Sequence, residues 1–267
     1  IYKLIDTLKT IKKFNRFYDI ASILGSGYIE IDKWNLDIGP IYNIFGYNQL
    51  EGSRFKFGGR TFIDQNDLWR LKGYLAYGER DKRIKYGFSA SFLINQDNRF
   101  IISSSHKNDI SQLGMNFNAL DYDILNSGRA SSSITTRGIN ILLTNVRSTS
   151  LGFEIEPVIN FRIKLKNIIS QFNSPINNQT FFSYYDSLTS TGVSNEINQF
   201  SIQTGFLYTP GKKVTGNGVD RYLVSDNYST IIFKYTKGLR GILNSDFNYD
   251  KIQFSYIKPW YIGRISR

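Results

Sequence analysis

Apolar and polar residues alternate without a break from Leu151 to Leu165. Leu151, Phe153, Ile155, Pro157, Ile159, Phe161, Ile163 and Leu165 fall on one side, and Gly152, Glu154, Glu156, Val158, Asn160, Arg162 and Lys164 on the other. A period of two is the mark of a β-strand whose two faces meet different surroundings. Read as one strand, the run is about twice the ~5–6 residues usual in a soluble sheet. It fits the ~9–11 residues that cross a bilayer at a tilt, with extension beyond the membrane.

The same period recurs along most of the chain. Trp34, Leu36, Ile38, Pro40, Tyr42 and Ile44 share a face, and Arg54, Lys56 and Arg60 oppose Phe55 and Phe57 within Gly52 to Thr61. Trp69, Leu71, Gly73, Leu75 and Tyr77 alternate with Arg70, Lys72, Tyr74 and Ala76, and Tyr86, Phe88, Ala90, Phe92 and Ile94 follow a turn at residues 78–81. Further candidates are Gln199 to Tyr208, Ser229 to Thr236, Lys251 to Ile257 and Tyr261 to the end. Asn- and Asp-rich joints at 64–67, 95–98 and 244–246 separate them, as in consecutive hairpins. Longer polar stretches cover roughly Ser103 to Thr136, Ser170 to Asn198 and Thr209 to Asn227. The expected fold is all-β: an antiparallel transmembrane β-barrel, an up-and-down meander with long loops on one end and short turns on the other, closure within this chain being left open. Trp34, Trp69, Tyr77, Tyr86, Tyr208 and Trp260 near strand ends suit aromatic girdles; a β-sandwich core is the alternative.

The N-terminal segment reads differently. From Tyr2 to Phe14, Leu4, Ile5, Leu8 and Ile11 recur at helical spacing among lysines, with a further turn or two from Arg16 to Leu24 before Gly25-Ser26-Gly27. Residues 1–28 are therefore expected to form a helical periplasmic or plug segment, and residues 29–267 the barrel strands and loops.

Composition removes several classes of function. No apolar run is long enough for a transmembrane helix, and a mean hydropathy of −0.30 is compatible with strands that alternate lipid-facing and polar residues. Zero Cys excludes disulfides and thiolate chemistry. The net charge of +11 would suit nucleic acid, but the positive residues are scattered rather than clustered. Lipid headgroups and the phosphates of lipopolysaccharide are the expected partners, with other envelope proteins as further candidates and nucleic acid excluded.

Candidate chemistry is thin. His106, the single His, sits in a polar stretch read as an exposed loop and carries no nucleophile–base pattern. Glu154 and Glu156 share a strand face, the spacing a glycosidase pair would need, but Arg162 and Lys164 continue that row and point to a charge network instead. Gly58-Gly59-Arg60-Thr61 lacks a Walker pattern, so its glycines read as a close backbone approach. Glu51 and Arg54 would point to opposite faces of a regular strand, unless a bulge at Gly52 re-aims them into a pair. Gly238-Leu239-Arg240-Gly241 is similar to the Arg-Gly element that barrel-assembly proteins tuck into the lumen, and equally reads as a turn. No catalytic residue, cofactor or metal ligand is expected. The expected site is a lumen charge network of Glu51, Arg54, Arg60, Glu154, Glu156, Arg162 and Lys164.

Several motifs carry a family resemblance. Ile1-Tyr2-Lys3-Leu4-Ile5-Asp6, Gly39-Pro40, Tyr47-Asn48 and, most specifically, residues 51–61 (EGSRFKFGGRT) are followed by residues 69–78 (WRLKGYLAYG) and 81–87 (DKRIKYG). Residues 235–241 (YTKGLRG) and 247–251 (FNYDK) add to them. Together they resemble Bacteroidota-type outer-membrane proteins with a carboxypeptidase-regulatory-like domain and a barrel of the surface-antigen, barrel-assembly type, this chain matching the barrel part. The resemblance implies a location in the bacterial outer membrane and a non-enzymatic role in envelope transport, assembly or scaffolding. A soluble all-β binding module and, further off, an outer-membrane hydrolase are the competing readings. The ending Ile265-Ser266-Arg267 departs from the aromatic terminus usual in such barrels.

Overall fold

The computed structural model describes residues 12–64, 66–112, 143–173, 184–185, 193–194, 196–225 and 227–260. Helix α1 (Lys12–Ser26) leads into β1 (Ile29–Ile31), β2 (Leu36–Ile38) and β3 (Phe45–Asn48). Then come β4 (Gly52–Thr61), β5 (Trp69–Gly78), β6 (Ile84–Asn95), β7 (Phe100–Gln112), β8 (Leu143–Val158) and β9 (Phe161–Asn173). The chain continues through β10 (Tyr184–Tyr185), β11 (Val193–Ser194), β12 (Glu196–Tyr208), β13 (Lys213–Thr215), β14 (Tyr222–Ser225), β15 (Thr230–Gly238) and β16 (Tyr249–Ile257). The helix expected from Tyr2 to Phe14 falls mostly outside the described residues, as does the strand expected from Tyr261.

Twelve strands form one sheet in the order β1-β2-β4-β5-β6-β7-β8-β9-β12-β15-β16, with β3 beside β2 on the edge of β4. Every pairing is antiparallel, and β10–β11 and β13–β14 are small hairpins carried by connections. The expected meander of hairpins is therefore present. The sheet is not closed: among the described residues no pairing joins β1 to β16.

Burial is inverted relative to a water-soluble sheet. Cross-strand partners Arg60 and Lys72, Lys56 and Ala76, Gly87 and Lys107, and Glu154 and Lys164 mark one face as polar. That face holds most of the buried residues, among them Glu51, Arg54, Arg70, Asp109 and Lys234. The opposite face carries Phe57, Leu75, Phe88, Leu151, Leu165 and Phe254, all exposed. Buried apolar clusters are small, Tyr28–Tyr74–Ala76 and Leu50–Ile110–Leu143.

Three expectations need correction. The run from Leu151 to Leu165 is not one strand but a hairpin, turning at Ile159–Asn160, where Asn160 takes a left-handed φ of +67°. Glu154 faces Lys164 and Ile155 faces Ile163, so residues of equal parity share a face on both strands and the alternation passes through the turn unchanged. The apolar row from Trp34 to Ile44 is likewise broken, with only Leu36–Ile38 in β2 and tight helical turns at Asp32–Trp34 and Ile41–Asn43. The supposed loop from Ser103 begins as β7, which runs on to Gln112.

The connections also sort differently. Alternation of direction puts the connections 79–83 and 239–248 at one end of the sheet, where β7 and β9 also end, and those after β4, β6, β8 and β12 at the other. The long stretch after Tyr208 therefore belongs to the end with the short turns. In a flat sheet β12 would lie five spacings, roughly 24 Å, from β5. Yet Val219 N donates to Asp67 O at 2.7 Å, Asn217 N to Asn66 Oδ1 at 3.0 Å, and Arg70 Nε to Asp220 Oδ2 at 3.1 Å. The connection folds back across the polar face to the start of the sheet. Gly218 sets how near it comes: a Cβ there would fall 2.8 Å from the backbone of Asn66 and Asp67. Gly218→Ala is expected to lift this segment away, seen as faster proteolysis within 209–229 while strand circular dichroism is unchanged.

Candidate functional site

Two groups of charge sit on the polar face. The first begins in the turn before β4. Asn48 Oδ1 accepts hydrogen bonds from Leu50 N at 3.0 Å and Glu51 N at 2.8 Å, an arrangement typical of Asn in turns. Gly52 then takes φ +68°, and this left-handed step swings Glu51 to the side of Arg54. Arg54 Nη1 donates to Glu51 Oε1 at 2.9 Å and to Asp109 Oδ1 at 2.7 Å, and its Nη2 donates to Asp109 Oδ2 at 2.9 Å. Lys85 Nζ lies 2.8 Å from Glu51 Oε1, and Tyr74 OH donates to Asp109 Oδ2 at 2.6 Å. Glu51, Arg54 and Asp109 are each at most 2% exposed, so charge-assisted bonds replace their lost hydration. Arg54 is on β4 and Asp109 on β7, three strands along, and their contact requires the sheet to curl toward its polar face. Gly52→Ala would force a side chain into the left-handed region and is expected to cost about 1–2 kcal/mol, read as a lower denaturation midpoint.

The second group lies at the short-turn end. Glu154 pairs with Arg162 at 3.1 Å and Lys164 at 3.3 Å. Glu156 pairs with Arg221 and with Arg99 at 3.7 Å, and its Oε1 accepts from Asn160 N at 2.9 Å. Arg99 holds the returning connection through Gly218 O at 2.9 Å and Val219 O at 3.0 Å. Between this group and the strands is a cavity of about 370 Å³.

Residues 22–267 match the profile of the C-terminal domain of a family of unknown function, DUF5686. The chain belongs to that family. No curated protein and no solved structure matches it. In this DUF5686 domain the site must accordingly be read from its own geometry.

The seven residues singled out in the sequence fall into three places rather than one. Glu51 and Arg54 form the first group, and Glu154, Glu156, Arg162 and Lys164 the second. Arg60 stands apart, donating to Asp37 Oδ2 at 2.9 Å with its guanidinium 4.0 Å from the centre of the Tyr28 ring. Gly59 makes room for that pairing, since a Cβ there would fall 2.9 Å from Asp37 O. Asp109, the central partner of Arg54, was missed because β7 offers Ser103, Ser105 and Lys107 on one side and Ser104, His106 and Asn108 on the other, with no apolar alternation to reveal a strand. Arg99 and Arg221 were missed because both lie in connections, which carry no periodicity.

The remaining motifs also resolve. His106 is not in a loop but on β7, on the apolar face near Tyr86 and Phe88, with Nδ1 2.8 Å from Thr149 Oγ1. Arg240 is in the exposed β15–β16 connection rather than on the polar face; the segment that folds inward is 209–222. Among the described residues, no three His, Asp or Glu side chains are grouped to hold a metal ion.

Proposed function

We propose that the chain is the membrane-embedded part of a non-enzymatic outer-membrane β-barrel, acting in envelope transport, assembly or scaffolding. The observation that carries this reading is the inverted burial: guanidinium, ammonium and carboxylate groups lie inside, while large apolar side chains face out. A soluble sandwich would bury its aromatic rows between sheets; in a bilayer the exposed rows meet lipid and the polar groups satisfy one another within. The aromatic residues support the same reading. Trp34, Trp69, Tyr208 and Trp260 lie at the short-turn end and Tyr47 and Tyr77 at the other, all exposed. From Trp69 to Tyr77 is about 26 Å of strand, the scale of the apolar band of an outer-membrane barrel.

In this reading closure comes from strands beyond those described or from an envelope partner, lipid and lipopolysaccharide surround the apolar face, and the family resemblance to barrel-assembly-type proteins supplies the setting. The test is fractionation of cells making the protein. It is expected in the outer membrane after carbonate and urea washing, with gel mobility that changes on heating. Recovery in the wash as soluble, folded protein would defeat the proposal.

A further inference from the structure

Strands β13 and β14 pair with each other, Val214 facing Leu223 and Thr215 facing Tyr222, so the chain after β12 is a hairpin rather than a slack connection. Its tip, residues 216–221, is fastened to parts of the sheet remote from β12 and β15, which carry it. Asn217 N and Val219 N donate to Asn66 and Asp67 in the β4–β5 connection, and Asp220 pairs with Arg70 of β5. Arg99, between β6 and β7, donates to Gly218 O and Val219 O, and Arg221 pairs with Glu156 of β8. These fastenings are polar. Among the described residues none of the hairpin's apolar side chains joins the buried core, and Leu223 and Val224 are exposed. The side chains of Asp220 and Arg221 are 36% and 22% exposed, so water competes for their ion pairs.

What the hairpin covers is open space. Ser89 and Ser91 of β6 stand in register with Ser105 and Ser103 of β7, and these with Ser150 and Gly152 of β8. Side chains this small on three neighbouring strands do not fill the polar face. The cavity of about 370 Å³ lies between them and the hairpin, whose Val214, Val219 and Asp220 line its other side. The base of the hairpin turns at Gly211, where φ is +76° and a Cβ would meet nothing within 4 Å. An element paired within itself, turning in open space at one end and held by polar contacts at the other, leaves as a unit without unpacking the sheet.

We propose that the β13–β14 hairpin is a gate over the polar interior at the short-turn end, and that undocking its tip opens the serine-lined space to water and small solutes. The inference rests on the barrel reading only for what lies beyond the gate, so the two are tested apart. The chain has no cysteine, and Ser105→Cys places a single thiol on the floor. In folded, detergent-solubilised protein this thiol is expected to react slowly with a small charged methanethiosulfonate. Arg99→Ala removes the donor to the tip's two carbonyls and is expected to speed the reaction about tenfold, the scale of a lost hydrogen bond to a charged group. Gly218→Ala, which acts through backbone clearance and not through charge, is expected to speed it as well. Glu79→Cys, in the exposed turn at the far end of the sheet, is expected to react at one fast rate in all three backgrounds. Labelling of Ser105→Cys as fast as Glu79→Cys with the tip docked, or a rate unmoved by both variants while strand circular dichroism is retained, would overturn the gate. Vesicles carrying the Gly218→Ala protein are expected to release a trapped small solute faster than those carrying the unaltered chain. Labelling that follows the tip without such release would leave the gate standing and count against a channel through the membrane.

Discussion

Replacing Arg54 by Met is expected to destabilise the folded protein by about 3–5 kcal/mol, the scale for breaking a buried ion pair from one side. Among the described residues the guanidinium bridges Glu51 and Asp109, and removing it takes from two buried carboxylates the cation that hydrogen-bonds to both. Glu51 keeps Lys85 at 2.8 Å and Asp109 keeps Tyr74 at 2.6 Å, so the loss is partial on each side. The double variant Arg54→Met with Asp109→Asn removes most of the uncompensated charge and is expected to recover a good part of the stability. Urea unfolding of protein reconstituted in vesicles measures both. Equal stability of the single and double variants would show that charge is not what makes the site costly to disturb.

The second large effect separates a lipid-facing surface from a water-facing one. Phe57 and Leu75 are cross-strand partners, 65% and 61% exposed, inside the ends of β4 and β5 on the apolar face. In a protein surrounded by water, Leu75→Lys is a surface change worth within about 0.5 kcal/mol. Within the apolar band of a bilayer the same substitution is expected to cost about 1–3 kcal/mol, falling toward zero when the lysine is moved to Tyr77 near the strand end. Comparing unfolding midpoints of the two variants in vesicles reads this depth dependence. A flat response would place that face in water and remove the basis of the membrane proposal.

Much of the fold was legible because the sheet separates its surroundings so sharply. Wherever one face is apolar and the other charged, as in Gly52–Thr61 or Trp69–Gly78, the residues alone located the strand and its faces. Legibility failed where that contrast was missing or misleading. The β7 strand is polar on both faces from Ser103 to Asn108, so it passed for a loop. The turn after Val158 hid because a register shift between Ile155 and Val158 gives the two strands matching parity, leaving only Pro157 and Asn160 as signals. The Glu51–Arg54 pair was readable through Gly52, a residue able to take the left-handed step. Its third member was not, because nothing local connects Arg54 with Asp109. Arg99 meets Glu156 only when β7 pairs with β8, and Arg221 only when the connection after Tyr208 returns.

The returning segment at 209–222 has a consequence for how the molecule forms. Its anchors, Asn66 with Asn217 and Arg70 with Asp220, are about 150 residues apart in the chain. Contacts so distant in sequence carry a high closure entropy and form late. The first hairpins therefore spend most of assembly with their Asp67 and Arg70 side unsupported, and gain their buttress only once β12 is in register. Arrival of that segment acts as a check on completeness: a chain stopped before Tyr208 can pair its early strands but lacks the contacts that brace Asn66, Asp67 and Arg70. Such truncated chains should persist as loosely held, degradable species rather than as smaller stable sheets.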